Sequence, residues 1–236
     1  MNCKKELLII IPTYNEKKNI PIIIKNVFFY VKNFVLLFID DNSPDGTQLV
    51  IKNYTKNKNN IKLIIRKKKL GIGSAHKQGI IWGYKKKFLK IITMDCDGTH
   101  NPRYIPVMLK KINSCDLLIT SRFKNHDSLK DWPLHRRTLT YLRHFILSIF
   151  LNISFDSSGA YRCYDVKKIK IKDILLAKNN SYSFFWESIF LLTKKKYSIK
   201  EIPVVLPARS IGNSKMGIKD ILLALNYLIR FFFKVH

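Results

Sequence analysis

Short apolar runs alternate with longer segments of mixed polarity through the first half of the chain. The runs lack polar positions, as is typical of strands buried on both faces of a sheet. The segments between them carry apolar residues at helical spacing, with turn residues at their boundaries. The predicted strands are 7–12, 34–39, 61–65, 89–94 and 117–120, and the predicted helices are 16–30, 47–54, 74–86 and 104–112. This order predicts an α/β, Rossmann-like fold with a mostly parallel sheet and helices on both faces.

The alternation stops near residue 123. A polar loop is followed by a predicted helix over about 137–152, a turn at 156–159 and mixed elements, which we expect to complete the edge of the sheet. The C-terminal segment 216–236 is predicted to be an apolar, amphipathic helix. Its apolar part, 221–233, contains Asn226 and Arg230 and is shorter than the roughly 20 residues of a membrane span. It therefore either lies in a membrane interface or packs on its own domain.

Acidic side chains follow the predicted strands, although the chain has few of them. Asp40 and Asp41 follow the second strand, Asp95 and Asp97 follow the fourth, and the first strand ends in PTYNE. In an open parallel sheet, ligands bind beyond the carboxyl ends of the strands. We therefore expect these three strand ends to form one crevice. Asp41 is a candidate hydrogen-bond acceptor for a base or ribose, and Tyr14 either stacks on a nucleoside or packs internally.

The segment Asp95-Cys96-Asp97 indicates a metal site. Residues i and i+2 of an extended chain share a side, so both carboxylates face one point. Two such charges repel each other unless a cation joins them. Oxygen ligands favour Mg²⁺ or Mn²⁺, which are typically held by one or two carboxylates together with substrate phosphates. The pair therefore predicts a nucleoside diphosphate substrate whose departure the cation assists.

Composition changes this picture in two respects. The chain carries 43 Lys and Arg against 16 Asp and Glu, a net charge of +27. This excess reflects either a functional basic surface or a general lysine bias of the chain. Four scattered cysteines without a CxxC pair exclude a zinc knuckle and a disulfide framework, and fit a reducing compartment. No signal peptide is recognisable, so we expect a cytoplasmic protein.

The glycines of LGIGSA, residues 70–75, do not form a dinucleotide fingerprint. The third glycine is absent at the required spacing, and the segment follows the third strand instead of the first. We expect Gly71 and Gly73 to let the chain turn close to a donor molecule. The basic run 66–69 before them is either a solvated surface or a rim that attracts phosphate. His100 and His144 are expected to be structural.

Several motifs then occur in an order that resembles a known family. They are PTYNE (12–16), DDNSPDGT (40–47), KLGIGSAHKQG (69–79), MDCDGTHNP (94–102), Ser121-Arg122, Trp132 with Arg136, DSSGAYRCY (156–164) and RSIGNSK (209–215). Together they resemble the family-2 inverting glycosyltransferases, and among them the dolichyl- or polyprenyl-phosphate mannose synthases of the single-domain type. The resemblance implies a GT-A fold over 1–215, with a nucleotide-sugar half to about 122 and an acceptor half over about 123–215.

The resemblance also implies roles for particular residues. The nucleotide-sugar site implied by it consists of Pro12, Tyr14, Glu16, Ile39, Asp41, Asp95, Cys96, Asp97, Thr99, Arg122, Arg209 and Lys215. The implied acceptor-phosphate site consists of Arg136, Thr140 and Ser214. Asp97, Arg122 and Arg136 are implied catalytic residues, and Asp95 and Asp97 are implied metal ligands. Cys96 and His76 depart from the residues usual at their positions, which leaves the sugar preference open.

The expected reaction transfers mannose from GDP-mannose to a polyprenyl monophosphate by an inverting displacement that Mg²⁺ or Mn²⁺ assists. The enzyme is expected at the cytoplasmic face of a membrane, in peripheral contact, with a small membrane-anchoring subunit as a possible partner. Two alternatives stay open: a transferase that passes glucose or another sugar from a UDP donor to undecaprenyl phosphate, and a basic nucleic-acid-binding protein without catalysis. We disfavour nucleic acid as a partner because the basic residues are dispersed and not clustered with aromatics.

Overall fold

The computed structural model describes residues 6–207 and 217–235. Within them the predicted α/β order is confirmed, with small shifts at the element boundaries. The strands are β1 (Leu7–Thr13), β2 (Phe34–Asp40), β3 (Ile61–Ile65), β4 (Lys90–Thr93), β5 (Leu117–Ser121), β6 (Arg162–Asp165) and β7 (Ile199–Pro203). The helices are α1 (Asn19–Tyr30), α2 (Thr47–Asn57), α3 (Ile72–Lys85), α4 (Ile105–Lys111), α5 (Leu134–Leu151), α6 (Ile171–Ile174), α7 (Ser183–Lys194) and α8 (Ile218–Val235).

The seven strands form one sheet in the order β3-β2-β1-β4-β6-β5-β7. All neighbouring strands are parallel except β6, which runs antiparallel between β4 and β5. We expected the second half of the chain to complete the edge of the sheet, and only β7 lies at that edge. The expectation was wrong for β6, which inserts in the interior. Both predicted halves of the chain therefore contribute strands to a continuous sheet.

Alternate residues of each central strand face two separate hydrophobic cores. Ile9 and Ile11 of β1 face a core that α1, α2 and α4 cover. Leu8 and Ile10 face a core that α3, α5, α7 and α8 cover. Because β1 and β2 are buried on both faces, their sequences are apolar at almost every position, which makes them recognisable as uninterrupted runs.

Helix α3 lies unusually close to the sheet because it carries a glycine at the contact. A Cβ atom at Gly79 would lie 2.6 Å from Ile10 Cγ2 and 2.9 Å from Ile39 Cδ1. No side chain fits at such distances without displacing the strands. The glycine thereby fixes the distance between α3 and the strands β1 and β2.

Helix α5 begins at Leu134, three residues before the predicted start. Pro133 occupies the N-cap position with φ of −55°, and such a residue favours the start of a helix. The helix ends at Asn152, whose φ of 50° is left-handed and terminates the α conformation. The extra turn at the start places Arg136 within the regular helix.

None of the helices in the described ranges has the length and apolar content needed to cross a bilayer.

Candidate active site

The carboxyl ends of β2, β1 and β4 lie side by side, because these strands are neighbours in the sheet and parallel. Thr13, the last residue of β1, is in register with Asp40, the last residue of β2. The segments that follow these three strands therefore meet at the same end of the sheet, the end formed by the carboxyl ends of its parallel strands. This is the crevice that the polar strand ends predicted.

Asp95 and Asp97 flank Cys96 in the segment that follows β4. Both residues are partly exposed, whereas Cys96 between them is buried in the core beneath α1. Asp97 accepts hydrogen bonds from the backbone N–H of Thr99 (3.1 Å) and from its hydroxyl (2.6 Å). This turn fixes one oxygen of Asp97 while the carboxylate stays accessible from the crevice.

His100 holds the backbone at Asp95. Its Nδ1 accepts a hydrogen bond from the N–H of Asp95 at 2.8 Å, so the proton of the neutral ring resides on Nε2. The buried ring also packs on Tyr161, with 5.0 Å between the ring centroids. His100 therefore has the structural role expected from the sequence. His144, the other histidine considered, stacks on Phe123 at 3.9 Å.

Asp41 is buried and bound by a side chain that sequence reasoning did not identify. Arg66 donates from Nε to Asp41 and from Nη2 to the carbonyl of Gly71 at 3.0 Å. Burial raises the pKa of Asp41 above its ordinary value, although Arg66 and the N–H groups of Leu70 and Gly71 oppose that rise. Any further hydrogen bond to Asp41 would therefore share the carboxylate with Arg66.

Neither of the two explanations considered for the basic run 66–69, a solvated surface and a rim that attracts phosphate, applies to Arg66. The side chain is buried, while Lys67, Lys68 and Lys69 are exposed. The sequence offered no signal for this difference, because four successive basic residues look alike. Only the position of Arg66 directly after β3, opposite Asp41, makes it an internal ion-pair partner.

Two of the acidic residues at the strand ends are structural. Asp40 accepts hydrogen bonds from the hydroxyls of Thr13 (2.8 Å) and Ser43 (2.6 Å), and has no exposed surface. Asp45 accepts from the N–H groups of Lys17 and Thr47, next to the start of α2. Two of the three acidic residues after β2 thus hold the loop through hydrogen bonds. Asp41 is the remaining functional candidate among them.

The remaining residues assigned to the nucleotide differ in exposure. Tyr14 is partly exposed, with the ammonium of Lys69 4.5 Å from the ring centroid. Glu16 is buried, and its carboxylate accepts from the side-chain amide of Asn19 at 2.5 Å. Ile39 has no exposed surface and packs in the core opposite Pro12. The nucleotide contacts assigned to all four residues stay predictions.

Gly71, directly before α3, and Gly73 within it lie against the segment that precedes α7. Gly71 has φ of 95° and lies against the carbonyl of Asn180. A Cβ at Gly73 would lie 2.6 Å from both Phe184 Cβ and the carbonyl of Ser181. These contacts explain why neither position carries a side chain, and the approach of the chain to a donor stays a prediction. The two glycines let the start of α3 pack against the segment before α7.

Arg122, directly after β5, is held by Asp156. The carboxylate accepts from Nε of Arg122 at 2.8 Å and from its backbone N–H at 3.0 Å. Burial raises the pKa of Asp156, but the charge and the two hydrogen bonds of Arg122, together with the charge of Arg143, outweigh it, so the pKa lies below its ordinary value. Glu201 of β7 in turn accepts from the N–H of Asp156 at 2.6 Å. The motif 156–164 is recognisable in the sequence, but this role of Asp156 was not predicted from it.

Arg136 and Thr140 lie one turn apart on α5. The guanidinium of Arg136 stacks over Trp132 at 3.9 Å, and the indole N–H of Trp132 donates to the carbonyl of Leu206 at 3.0 Å. The buried hydroxyl of Thr140 donates to the carbonyl of Arg136 at 2.8 Å. These contacts orient the start of α5 toward the end of β7. Arg209, Ser214 and Lys215 lie outside the described residues.

The sequence pattern of Glycosyl transferase family 2 matches residues 8–171, more than half of the chain. The chain therefore belongs to this family and is a glycosyltransferase. It is 30% identical over 217 residues to the polyprenol monophosphomannose synthase of Mycolicibacterium smegmatis, a match that covers 89% of this chain and 80% of that protein. It is 28% identical over 212 residues to the undecaprenyl-phosphate mannosyltransferase of Micrococcus luteus, covering 89% of this chain and 87% of that protein.

The fold also resembles that of a solved glycosyltransferase. The crystal structure of glucosyl-3-phosphoglycerate synthase from Mycobacterium tuberculosis, in complex with Mn²⁺, uridine diphosphate and glucosyl-3-phosphoglycerate, superposes with a TM-score of 0.62. The sequence identity is 15%, and the match covers 95% of this chain and 77% of that one. The GT-A-like fold expected from the sequence is thus confirmed.

Proposed function

We propose that this glycosyltransferase moves mannose from GDP-mannose to a polyprenyl monophosphate, with inversion at the anomeric carbon. The observation that carries the proposal is the crevice at the carboxyl ends of β2, β1 and β4, where Asp95 and Asp97 are both partly exposed while Cys96 between them is buried. The two relatives named above support the acceptor and the sugar, because both are named as mannosyltransferases or synthases of polyprenyl-phosphate products.

The chemistry of the Asp95–Asp97 pair fits a divalent cation. Both ligands are carboxylates, both are partly exposed, and no cluster of three or more His, Cys, Asp or Glu is found in the described ranges. A site with so few protein ligands suits Mg²⁺ or Mn²⁺, which would complete their shells with phosphate and water oxygens. Such a bound cation would offset the negative charge that the departing diphosphate acquires.

The donor end of the crevice would orient the nucleotide. Tyr14 offers an aromatic face, and Asp41 offers a carboxylate that Arg66 fixes in place. Because the Asp41–Arg66 pair is buried, the carboxylate cannot rotate freely. A base or a ribose hydroxyl would therefore bind to it in one orientation. Holding the donor in this way supplies part of the rate acceleration through positioning.

The acceptor end would supply positive charge for a phosphate. An oxygen of the lipid phosphate attacks the anomeric carbon, the bond from that carbon to the diphosphate oxygen breaks, and the nucleoside diphosphate leaves. The phosphate is already an anion near neutral pH, so the reaction needs no general base. Arg122 and Arg136 are suited to hold it because a planar guanidinium binds two phosphate oxygens at once.

A transfer assay tests this function directly. Purified protein is incubated with Mn²⁺, a short polyprenyl phosphate and one labelled nucleotide sugar at a time, and label is then measured in the organic phase. We expect label from GDP-mannose to be extracted and label from UDP-glucose to stay in water. Transfer from UDP-glucose alone would assign a different donor, and transfer from neither would contradict the proposal.

We further propose that the outer faces of α5 and α8 rest on an anionic lipid surface. On α5, Leu142, Phe145 and Ile149 are 50–61% exposed at helical spacing. On α8 the exposed side chains at such spacing are Leu222, Leu225, Ile229 and Phe233. The two helices meet where Phe150 packs edge-on against Phe232 at 5.2 Å. They therefore present a joint apolar surface, which we call the α5–α8 face.

Two further observations favour a lipid bilayer as the occupant of this face. The chain has a net charge of +27, which attracts it to anionic headgroups by about 1 kcal/mol for each basic residue near the surface. In addition, α5 carries both this apolar face and, on its opposite side, Arg136 and Thr140, the proposed acceptor-phosphate residues. One helix would thereby link the membrane contact to the acceptor site.

Flotation with liposomes of phosphatidylcholine and phosphatidylglycerol tests this contact. We expect the unaltered protein to float and a Leu225→Gln, Ile229→Gln variant to stay at the bottom. The matched control is Leu49→Gln, which alters a leucine that is 66% exposed on α2, and this variant should float normally. Equal flotation of the double variant, or no flotation of the unaltered protein at low salt, would refute the contact.

A further inference from the structure

A second arginine of α5 shares the face of Arg136 and Thr140. Arg143 follows Arg136 by seven residues and Thr140 by three, and this spacing places all three on one side of a helix. Its Nη2 donates to the hydroxyl of Ser158 at 3.0 Å. Ser158 is two residues from Asp156, the carboxylate that holds Arg122. Arg143 therefore belongs to the acceptor end of the crevice.

One N–H of the partly exposed Arg143, that of Nε, is shielded from solvent and has no acceptor among the described residues. The Ser158 bond uses one N–H of a group that carries five donors. A shielded N–H without an acceptor is costly, and an absent ion or water is one of the explanations for such a group.

The charges around Arg143 are unbalanced. Burial, followed by the charge of Arg122, lowers the pKa of Arg143 to about 10, and Arg136 contributes in the same direction. The guanidinium is still cationic near neutral pH. The nearby carboxylate of Asp156 already receives two hydrogen bonds from Arg122. Glu201, the next carboxylate, pairs with Lys124 at 3.3 Å.

Three guanidiniums and the single carboxylate of Asp156 leave two positive charges at this end of the crevice. A phosphomonoester carries about −1.5 to −2 near neutral pH, whereas a phosphodiester carries only one negative charge. The arrangement therefore matches a terminal monophosphate in charge. A role confined to holding the 156–159 loop would need only the Ser158 bond and would leave the shielded Nε unexplained.

Building on the proposed function, we propose that Arg143 is a third phosphate-binding guanidinium of the acceptor site, acting with Arg122 and Arg136 on an isoprenyl monophosphate.

Direct binding measurements test this role without relying on turnover. Calorimetry measures the affinity of a short isoprenyl monophosphate, and of the corresponding alcohol, for the unaltered protein and for Arg143→Met and Arg143→Lys. We expect the unaltered protein to prefer the phosphate, Arg143→Met to bind it about 10- to 100-fold more weakly, and Arg143→Lys to fall between them. The affinity for GDP-mannose should change less than about threefold in either variant, because the donor binds at the other end.

The matched control is Arg103→Met, which removes an exposed arginine that packs on Tyr104. It should bind the phosphate like the unaltered protein. Equal phosphate affinity in Arg143→Met, a parallel loss of donor affinity, or no preference of the unaltered protein for the phosphate over the alcohol would overturn the role of Arg143. If the unaltered protein binds the phosphate through Arg143 but transfers no sugar, the proposed function fails while this inference stands.

Discussion

Asp41 and Asp156 are both buried carboxylates that face an arginine, yet their pKa values shift in opposite directions. Burial dominates at Asp41 and raises its pKa, whereas Arg122 and Arg143 outweigh burial at Asp156 and lower its pKa. Asp156 is thus held as an anion that orients Arg122. At Asp41 burial disfavours the charged form of the carboxylate, so a hydrogen bond from a nucleotide would help to stabilise that form.

The lowered pKa of Asp156 predicts an acid-sensitive contribution to stability. Its folded-state pKa lies below the unfolded value of 3.8, so the contribution is fully present above pH 3.8 and is lost as the pH falls through the folded-state value. We expect Asp156→Asn to be less stable than the unaltered protein at pH 7, with a smaller loss of stability on acidification. Urea unfolding at several pH values measures both effects.

Asp131→Asn is the control for this prediction, since Asp131 is exposed. Its unfolding free energy should follow that of the unaltered protein at every pH. An Asp156→Asn variant that loses as much stability below pH 3.8 as the unaltered protein would show that Asp156 is not held as an anion by Arg122.

The candidate site was predictable from the sequence where its residues follow apolar strands. Asp41, Asp95 and Asp97 stand at strand ends, and the strand order brings them to one edge. Arg66, Arg143 and Asp156 were missed because their partners are 25, 15 and 34 residues away in sequence. No local pattern marks such pairs, although the seven-residue spacing between Arg136 and Arg143 was a usable signal for one of them.

Strand β6 shows what the alternation of apolar runs could not reveal about the sheet. The run Arg162–Asp165 is short and begins and ends with charged residues, so it lacks the apolar signature of the other strands. Arg162 is nevertheless fully buried, because its guanidinium donates to the carbonyls of Ser157, Gly159 and Phe185 and to the hydroxyl of Ser188. Hydrogen bonds thus replace hydrophobicity as the reason for burial at this position.

Helix α8 is apolar on two sides, and only one of them packs on the rest of the protein. Leu228 is 5% exposed and faces the core, while Phe231 packs against Trp186 at 5.2 Å. Tyr227 donates to Glu187 at 3.0 Å, and Glu187 in turn accepts from the N–H groups of Lys178 and Asn179. Both possibilities considered for this helix thus have support: its inner side packs on its own domain, and its outer side belongs to the α5–α8 face.

The two sides of α8 predict different costs for the same substitution. Leu228→Ala should lower the free energy of unfolding by about 2–5 kcal/mol, because it leaves a cavity beside α7. Leu225→Ala should change it by less than about 0.5 kcal/mol, because Leu225 is 47% exposed. Chemical denaturation without lipid measures both values. Equal losses for the two variants would mean that the outer side is also packed in the free protein.

On the scale of the whole molecule, acidic and basic side chains lie at different ends of the crevice. Carboxylates of Asp95 and Asp97 lie at the end of β4, and the guanidiniums of Arg122 and Arg136 lie near the end of β5 and the start of α5. A donor diphosphate needs a cation to approach the first group, whereas an acceptor phosphate is drawn directly to the second. This asymmetry would keep the two phosphate-containing substrates at opposite ends of one site.

The central claim is that Asp95 and Asp97 bind the donor through a divalent cation, and calorimetry of GDP-mannose binding tests it most directly. We predict that Asp97→Asn, or replacement of Mn²⁺ by EDTA, weakens donor binding about tenfold or more. Asp116→Asn makes the same chemical change directly before β5, at the amino-terminal end of that strand. This variant should bind the donor normally. Donor affinity that is unchanged in EDTA and in Asp97→Asn would contradict the account.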